Sequence, residues 1–293
     1  MKLRTIALML TIGSIVALWP VLGPTPRTAA APIKLGKVHE GYQPLKGKIF
    51  VLLIGHDARP GETRARADGI HIAGINTETM TGGILNFPRD SWVNIPGWGS
   101  ARINDALYIG GPERLAETLE DLTGITIDYW VMAGFEQFQS LVEDLGGIRM
   151  NVPTAVYDRG GSGAQLDAGM QKLKGYEALA YARARKPFSD GDVVRTTNQA
   201  RIFIAALKKL RQEVGNNPAA LLRWMSVIRE HAELDMSASD TFRLGVVLSQ
   251  LSAKKVGNVT IPVNIGMAGS ASVVFISPQA RPIYARFKRT GSL

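Results

Sequence analysis

"GIHIAGINTETMTGGILNFPRD", residues 69–90, holds two apolar runs joined by a short polar connection. Residues 69–76 and 82–87 read as strands, and the "TETMTG" between them as a hairpin-like turn. Just upstream, "KIFVLLIG" (48–55) is a continuous apolar run closed by glycine, the pattern of a strand covered on both faces. Downstream the period lengthens. Residues 112–124 start with Pro112, set Leu115, Leu119 and Leu122 on one face and stop at Gly124, which predicts a helix. Further helices are expected over 135–147, 173–185 and 198–214, and late strands over 257–263 and 270–276. Strands and helices that interleave in this way predict an α/β sandwich around a central sheet. The early hairpin makes that sheet mixed.

The hairpin ends in charge. Phe87 and Pro88 run directly into Arg89 and Asp90, an opposite-charged pair at the end of an apolar strand. "RARAD" leads into the other arm and supplies Arg66 and Asp68. The first strand runs out into "GHDARPG", with Asp57 and Arg59, and "ARIND" adds Arg102, Asn104 and Asp105. In α/β sheets, ligands sit where loops converge at strand ends. A hairpin sets the start of its first strand beside the end of its second, so topology alone brings Arg66 and Asp68 next to Arg89 and Asp90. Two carboxylates brought together repel, and a shared proton or a divalent cation relieves them. Oxygen-only ligands suit Mg²⁺ or Mn²⁺. Interleaved arginines suit phosphate, because the guanidinium fork matches its oxygens at two points. A single such pair is read more simply as a salt bridge fixing a loop. Four clusters at strand ends favour a charged site.

In the second half, Arg183 and Arg185 close a helix, where cations favour the C-terminal carbonyls. Asp192 and Arg195 are expected in the turn before the next helix, with Gln199 in its first turn, a position that readily takes phosphate.

Of 293 residues, 45% are hydrophobic and 20% charged, an ordinary globular balance. With the N-terminus set apart, the remainder suffices for one large domain with a substantial core. The net charge of +9 favours anionic partners without choosing among nucleic acid, acidic lipid and phosphate-bearing polymers. The chain has no cysteine, which excludes disulfides and thiolate metal sites. Residues 1–23 carry Lys2 and Arg4 ahead of an uncharged apolar run ending near Trp19 and Gly23. The run is long enough to span a bilayer, and its flanking charges set the N-terminus inside and the following domain outside. A cleaved signal peptide is the alternative, with an Ala-x-Ala site at Ala29–Ala31. Residues 24–46 read as an irregular linker and 47–293 as an exported domain.

The motifs "LLIGHDAR", "RADGIHIAGIN", "FPRDSWVNIPG", "RINDALYIGG", "GITIDYWVMAGFEQFQSLVEDLGGI", "NVP" and "ALAYARAR" resemble, in this order, the LytR-CpsA-Psr family of cell-envelope enzymes. The resemblance covers roughly residues 48–212, and the remainder matches the family's last strands and C-terminal helix. It implies an α/β/α sandwich, a single-pass membrane anchor and an outward-facing phosphotransferase with a hydrophobic groove for a polyprenyl tail. Such enzymes move a phosphate-linked glycopolymer from polyprenyl pyrophosphate to a peptidoglycan hydroxyl. By this resemblance Asp68 and Asp90 match Mg²⁺-binding aspartates. Arg66, Arg89, Arg102, Arg183, Arg185 and Arg195 match the arginines around the pyrophosphate. Arg59 and Gln199 join them as binding positions, and Asp57 and Asn104 as positioning residues. Either Asp90 or Asp192 is the expected base for the acceptor hydroxyl.

The chain departs from the family's pattern. Ala67 and Gly69 stand where serine and threonine are usual, Asp105 where histidine is usual, and Val194 and Asn198 where glycine and a second arginine are usual. A non-catalytic module that binds the lipid or wall polymer is one rival reading. A transcriptional attenuator is another, weakened because no helix-turn-helix with a basic recognition helix stands out and an exported domain does not meet DNA, so nucleic acid is not expected as a partner. His71 alternates with Ile70 and Ile72 and is expected to face polar surroundings, without a role. Tyr129, Trp130, Phe135 and Phe138 are read as core positions in preference to a groove lining.

Overall fold

The computed structural model describes residues 45–58, 64–185 and 191–293. The expected anchor, nearly all of the linker and Arg59 lie outside the described residues. Among the described residues no helix is long and apolar enough to cross a membrane.

The hairpin forms as its sequence dictates. Strand β1 (Lys48–His56) pairs antiparallel with β2 (Ala67–Asn76), and β2 pairs antiparallel with β3 (Thr81–Asn86). Two small ribbons follow in the chain: β4 (Trp92–Ile95) with β5 (Gly99–Arg102), and later β8 (Val156–Asp158) with β9 (Ala164–Leu166). Strand β6 (Tyr129–Gly134) runs parallel to β1, and the short β11 (Glu233–Leu234) closes that edge antiparallel to β6. Strand β12 (Val256–Thr260) lies parallel to β3 at the other edge. The sheet order is therefore β11-β6-β1-β2-β3-β12, a mixed sheet. Strand β7 (Ile148–Val152) pairs with β10 (Gly169–Leu173), and β13 (Val263–Ala268) with β14 (Ala271–Ile276), both outside it.

The two-residue period of the strands separates two interiors. Phe50, Leu52, Ile54, Ile70, Ile72, Leu85 and Phe87 point to one face. They are buried with Leu115 and Leu119 of helix α1 (Asp105–Thr123) and with the C-terminal helix, numbered α7 (Ala280–Thr290). The other face carries Ile49, Val51 and Ile75, packed with Leu244 and Val247. It is covered by α2 (Phe135–Asp144), α4 (Gly191–Asn216), α5 (Ala220–His231) and α6 (Ala238–Gln250), with α3 (Gly175–Arg183) against α2 and α4.

Two helix boundaries differ from the sequence reading. Helix α1 begins at Asp105, then breaks at Gly110 and Gly111, whose backbones are not helical, so that Pro112 opens its second segment. Helix α4 begins at Gly191, not near residue 198. Arg195 and the backbone of Asp192 thus belong to its first turns, not to a preceding loop, and Gln199 lies further along it. The stretch "DVVRTTN" has weak helix propensity, and packing against the sheet overrides it. The strands β4 to β11 and helices α5 and α6 were not anticipated; the shortest of these strands carry little periodic signal.

Candidate functional site

Asp68 owes its direction to a bulge. Gly55 stands opposite Gly69 and His56 opposite Ala67, which leaves Asp68 as the extra residue between them. Such an insertion breaks the alternation and re-aims one side chain. Asp68 reaches across to Arg89, whose Nη1 donates to Asp68 Oδ1. Arg89 Nε also lies 3.9 Å from Asp90 Oδ2, so a guanidinium stands between the two aspartates that the hairpin brings together. The mutual repulsion foreseen for this pair is relieved by an arginine, the salt-bridge reading that the sequence offered for a single pair. A second cation arrives from helix α4, where Arg195 is 3% exposed and holds Nη1 at 3.9 Å from Asp68 Oδ1.

Asn104 ties the two arms of the hairpin. Its N–H donates to the Arg89 carbonyl and its own carbonyl accepts from Ala67 N–H. Its side chain is buried, and Oδ1 has no hydrogen-bond partner among the described residues. Asp57 N–H donates to the Arg66 carbonyl, and its Oδ1 accepts from Arg66 N–H at 3.1 Å, fixing the loop mouth.

A polar cavity of about 300 Å³ opens at these strand ends, lined by Asp68, Arg89, Arg183, Arg185, Arg195 and Gln199, with Asp158 and Ser162. Asp68, Arg183 and Gln199 also border a second cavity of about 340 Å³ that runs between the sheet and the helices. Its floor is Gly69, His71, Ala73 and Ile75 of β2, and its roof is built from α2, α4, α5 and α6. Almost all of its lining is apolar. Arg183 marks the junction, with its guanidinium over the Phe135 ring at 4.6 Å. Phe135 and Phe138 line this cavity, contrary to their reading as plain core, whereas Tyr129 and Trp130 pack elsewhere.

The structure separates some of the candidate residues. Arg66 is half exposed outside the polar cavity, where Nε donates to Asp105 Oδ1 at 2.7 Å and the guanidinium lies over Tyr108. The hydrogen bond to Asp105 raises its pKa above the ordinary value. Asp105 is thus neutralised by Arg66. Arg102 lies outside the cavity wall too, 3.7 Å from Asp90 Oδ1 and donating to the Ser272 carbonyl. Asn198 is buried and accepts from Arg201 Nη1 at 2.7 Å, so it does not face the polar cavity. The side chain of Asp192 lies outside the described residues. Asp158 was missed from the sequence: it is 4% exposed, and Oδ2 accepts from the N–H groups of Ser162 and Arg185. An acid followed by "RGG" in a short ribbon was the available signal.

His71 meets polar partners, as expected, but in a buried setting. It is 1% exposed on the cavity floor, with Nδ1 at 2.8 Å from Asn86 Oδ1 and Nε2 at 3.1 Å from Gln199 Oε1. Burial lowers its pKa to about 4, against the two amide hydrogen bonds, which favour the proton, and with Arg195, which opposes it. At neutral pH the ring is neutral and owns one N–H. Gln199 uses Nε2 to donate to the carbonyls of Ala182 and Asp68, so its Oε1 is the acceptor for His71 Nε2–H. Nδ1 is then the ring's acceptor, and satisfying it requires the Asn86 amide to be turned from the placement in which its Oδ1 faces Nδ1 and its Nδ2 donates to Asn258 Oδ1.

An α/β chain whose hairpin carries aspartates and arginines to the mouth of an apolar cavity can hold a ligand that is anionic at one end and apolar at the other. A family model described as the LytR_cpsA_psr family matches residues 30–285. The chain belongs to the LytR-CpsA-Psr family. The regulatory protein MsrR of Staphylococcus aureus is 29% identical over 233 residues, 78% of this chain and 69% of MsrR. The polyisoprenyl-teichoic acid–peptidoglycan teichoic acid transferase TagT of Bacillus subtilis is 35% identical over 178 residues, 57% of this chain and 54% of TagT. A solved structure of TagT bound to LI-WTA superposes with a TM-score of 0.70 at 25% identity, covering 86% of this chain and 94% of that one.

Proposed function

We propose that this chain is an Mg²⁺-dependent phosphotransferase that moves a phosphate-linked glycopolymer from a polyprenyl pyrophosphate carrier to a peptidoglycan hydroxyl. The continuity of the arginine-lined cavity with the apolar one carries this reading: a pyrophosphate fits the first and an isoprenoid tail the second. The name of TagT supports the same chemistry. In the proposed reaction, the acceptor oxygen bonds to the phosphorus that carries the glycan. The phosphoanhydride bond breaks, and polyprenyl monophosphate leaves. Arg89, Arg183, Arg185 and Arg195 hold the phosphate oxygens and offset the charge that builds on them, which with positioning is most of what phosphoryl transfer requires. The hydroxyl proton passes to a carboxylate beside Arg89, Asp90 among the described side chains, which stands next to the cavity wall without lining it.

Asp68 and Asp90 fit Mg²⁺ as oxygen-only donors, neither fully buried, and the metal would supply further neutralisation of the pyrophosphate. Asn104 Oδ1 is a buried acceptor that a metal-bound water would satisfy. The domain is proposed to be anchored by residues 1–23 and to face away from the cytoplasm. Protease accessibility on spheroplasts tests that placement, and a protected domain would refute it.

Asp68→Asn and Asp90→Asn are expected to abolish Mg²⁺-dependent release of polyprenyl monophosphate while leaving the fold intact. Full activity of Asp90→Asn would remove Asp90 from the metal site. The binding-only reading draws on Asn198, which replaces an expected arginine and is turned to Arg201. Retained lipid affinity without turnover in the native chain would favour it.

A further inference from the structure

We propose that His71 is a positioning residue of the polar cavity: its Nε2–H holds Gln199 across the space that Gly69 leaves open, and Gln199 fixes how helix α4 presents Arg195 to Asp68. The inference rests on the reading of this cavity as a pyrophosphate site.

Among the described residues, Gln199 is the side chain that joins all three elements at the junction. It leaves α4, donates to Ala182 at the end of α3 and to Asp68 on β2, and accepts from His71. Four residues before it on the same helix, about one turn, Arg195 points at Asp68. Any sideways movement of Gln199 therefore moves the cation. The path from Gln199 to the imidazole is narrow. A Cβ on Gly69 would lie 3.1 Å from Gln199 Oε1 and 3.4 Å from His71 Nε2, tighter than ordinary contact for the first. Glycine at 69 and histidine at 71 are thus parts of one arrangement: the absent side chain opens the space, and the imidazole supplies the donor that fills it.

A second tie lies behind the first. The Asn86 amide meets His71 on one side and Asn258 and Thr260 on the other, and the Thr260 hydroxyl reaches Thr197, also on α4. Helix α4 is therefore held to the sheet at Thr197 and at Gln199 by one buried polar network. His71 is its middle member, set in a floor whose neighbours on the same face are glycine and alanine. A buried network with every member satisfied specifies one arrangement, and loss of one member leaves its partners unpaired.

The coupling gives a distinctive test. Farnesyl pyrophosphate, titrated calorimetrically into the folded chain, is the probe. His71→Leu keeps bulk without a donor and is expected to weaken binding about tenfold, the scale of one lost hydrogen bond. His71→Gln, whose amide can stand near Nε2, is expected to remain within about threefold. Gly69→Thr should also weaken binding about tenfold through its Cβ. In Gly69→Thr/His71→Leu the threonine hydroxyl can itself donate to Gln199 Oε1 in place of the lost imidazole N–H, so the double variant should bind better than either single one. Losses that simply multiply, or His71→Leu at wild-type affinity, would overturn the proposal. ¹⁵N spectra of the ring give a readout independent of the ligand: a neutral Nε2–H tautomer that changes in Gln199→Ala is expected, and an Nδ1–H ring overturns the proposal even if His71→Leu does not fold. If the wild type binds no farnesyl pyrophosphate while the ring keeps its Nε2–H bond to Gln199, the pyrophosphate reading fails and the positioning role falls with it.

Discussion

Arg89 lies between Asp68 and Asp90, and Arg195 approaches Asp68 from the far side, so the acidic pair is already compensated before any ligand arrives. The approach of the two aspartates was legible, because a hairpin leaves no freedom in which strand ends meet. The position of the guanidinium between them was not, since residue order does not say on which side of a strand end a long side chain turns. Asp68 itself is turned by a bulge that depends on how two strands register. His71 carries a consequence for stability. Its folded pKa, about 4, lies below the ordinary 6.5, so the unfolded chain binds the proton more tightly. The stabilisation is complete above pH 6.5 and is lost as the pH falls towards 4, by about 2 kcal/mol at pH 5. Burial lowers the pKa of His56 as well, and it acts in the same direction. Urea unfolding at pH 7.5 and pH 5 should show this loss, and His71→Gln should reduce it. An unchanged difference between the two pH values in the variant would mean that His71 is protonated in the fold.

At the scale of elements, the sheet and its C-terminal helix meet through glycines. A Cβ on Gly74 would lie 2.6 Å from the Phe287 ring and 2.9 Å from the Gly291 carbonyl, and one on Gly83 would lie 2.8 Å from Leu293. Helix α7 can lie this close only because β2 and β3 are bare there. Gly74→Ala is therefore expected to cost about 1–3 kcal/mol, the usual penalty of overpacking. For a domain of this size that is a fall in Tm of roughly 3–10 °C. Gly215→Ala, near the end of α4 with nothing close to its Cβ, should be neutral or slightly stabilising. Differential scanning fluorimetry of both variants checks the contrast, and equal Tm values would refute it. The two apolar arms of the hairpin announced β2 and β3, and the spacing of Leu115, Leu119 and Leu122 announced the second segment of α1. The start of α4 was hidden, because its β-branched and polar residues are held helical by contacts remote in sequence.

At the scale of the molecule, two interiors share one sheet, and they differ in how fully they are filled. The face under α1 and α7 is packed solid with large side chains, whereas the face under α2, α4, α5 and α6 encloses a cavity of about 340 Å³ over small residues. If that space receives an isoprenoid tail, Ala73→Phe on its floor should weaken farnesyl pyrophosphate binding more than about tenfold, while inorganic pyrophosphate binding stays unchanged. Parallel loss of both, measured by calorimetry, would place the tail elsewhere. Residue order alone makes this an α/β chain with a mixed sheet, and it brings aspartates and arginines to one set of strand ends. Those features follow from local periodicity and from chain connectivity. Packing settles which arginines turn inward, that Arg66 and Arg102 pair at the rim, that His71 and Gln199 meet, and that helices remote in sequence leave an apolar cavity open beside the charged one. Each of these depends on distances between residues far apart in the chain, set by the packing of one layer on another.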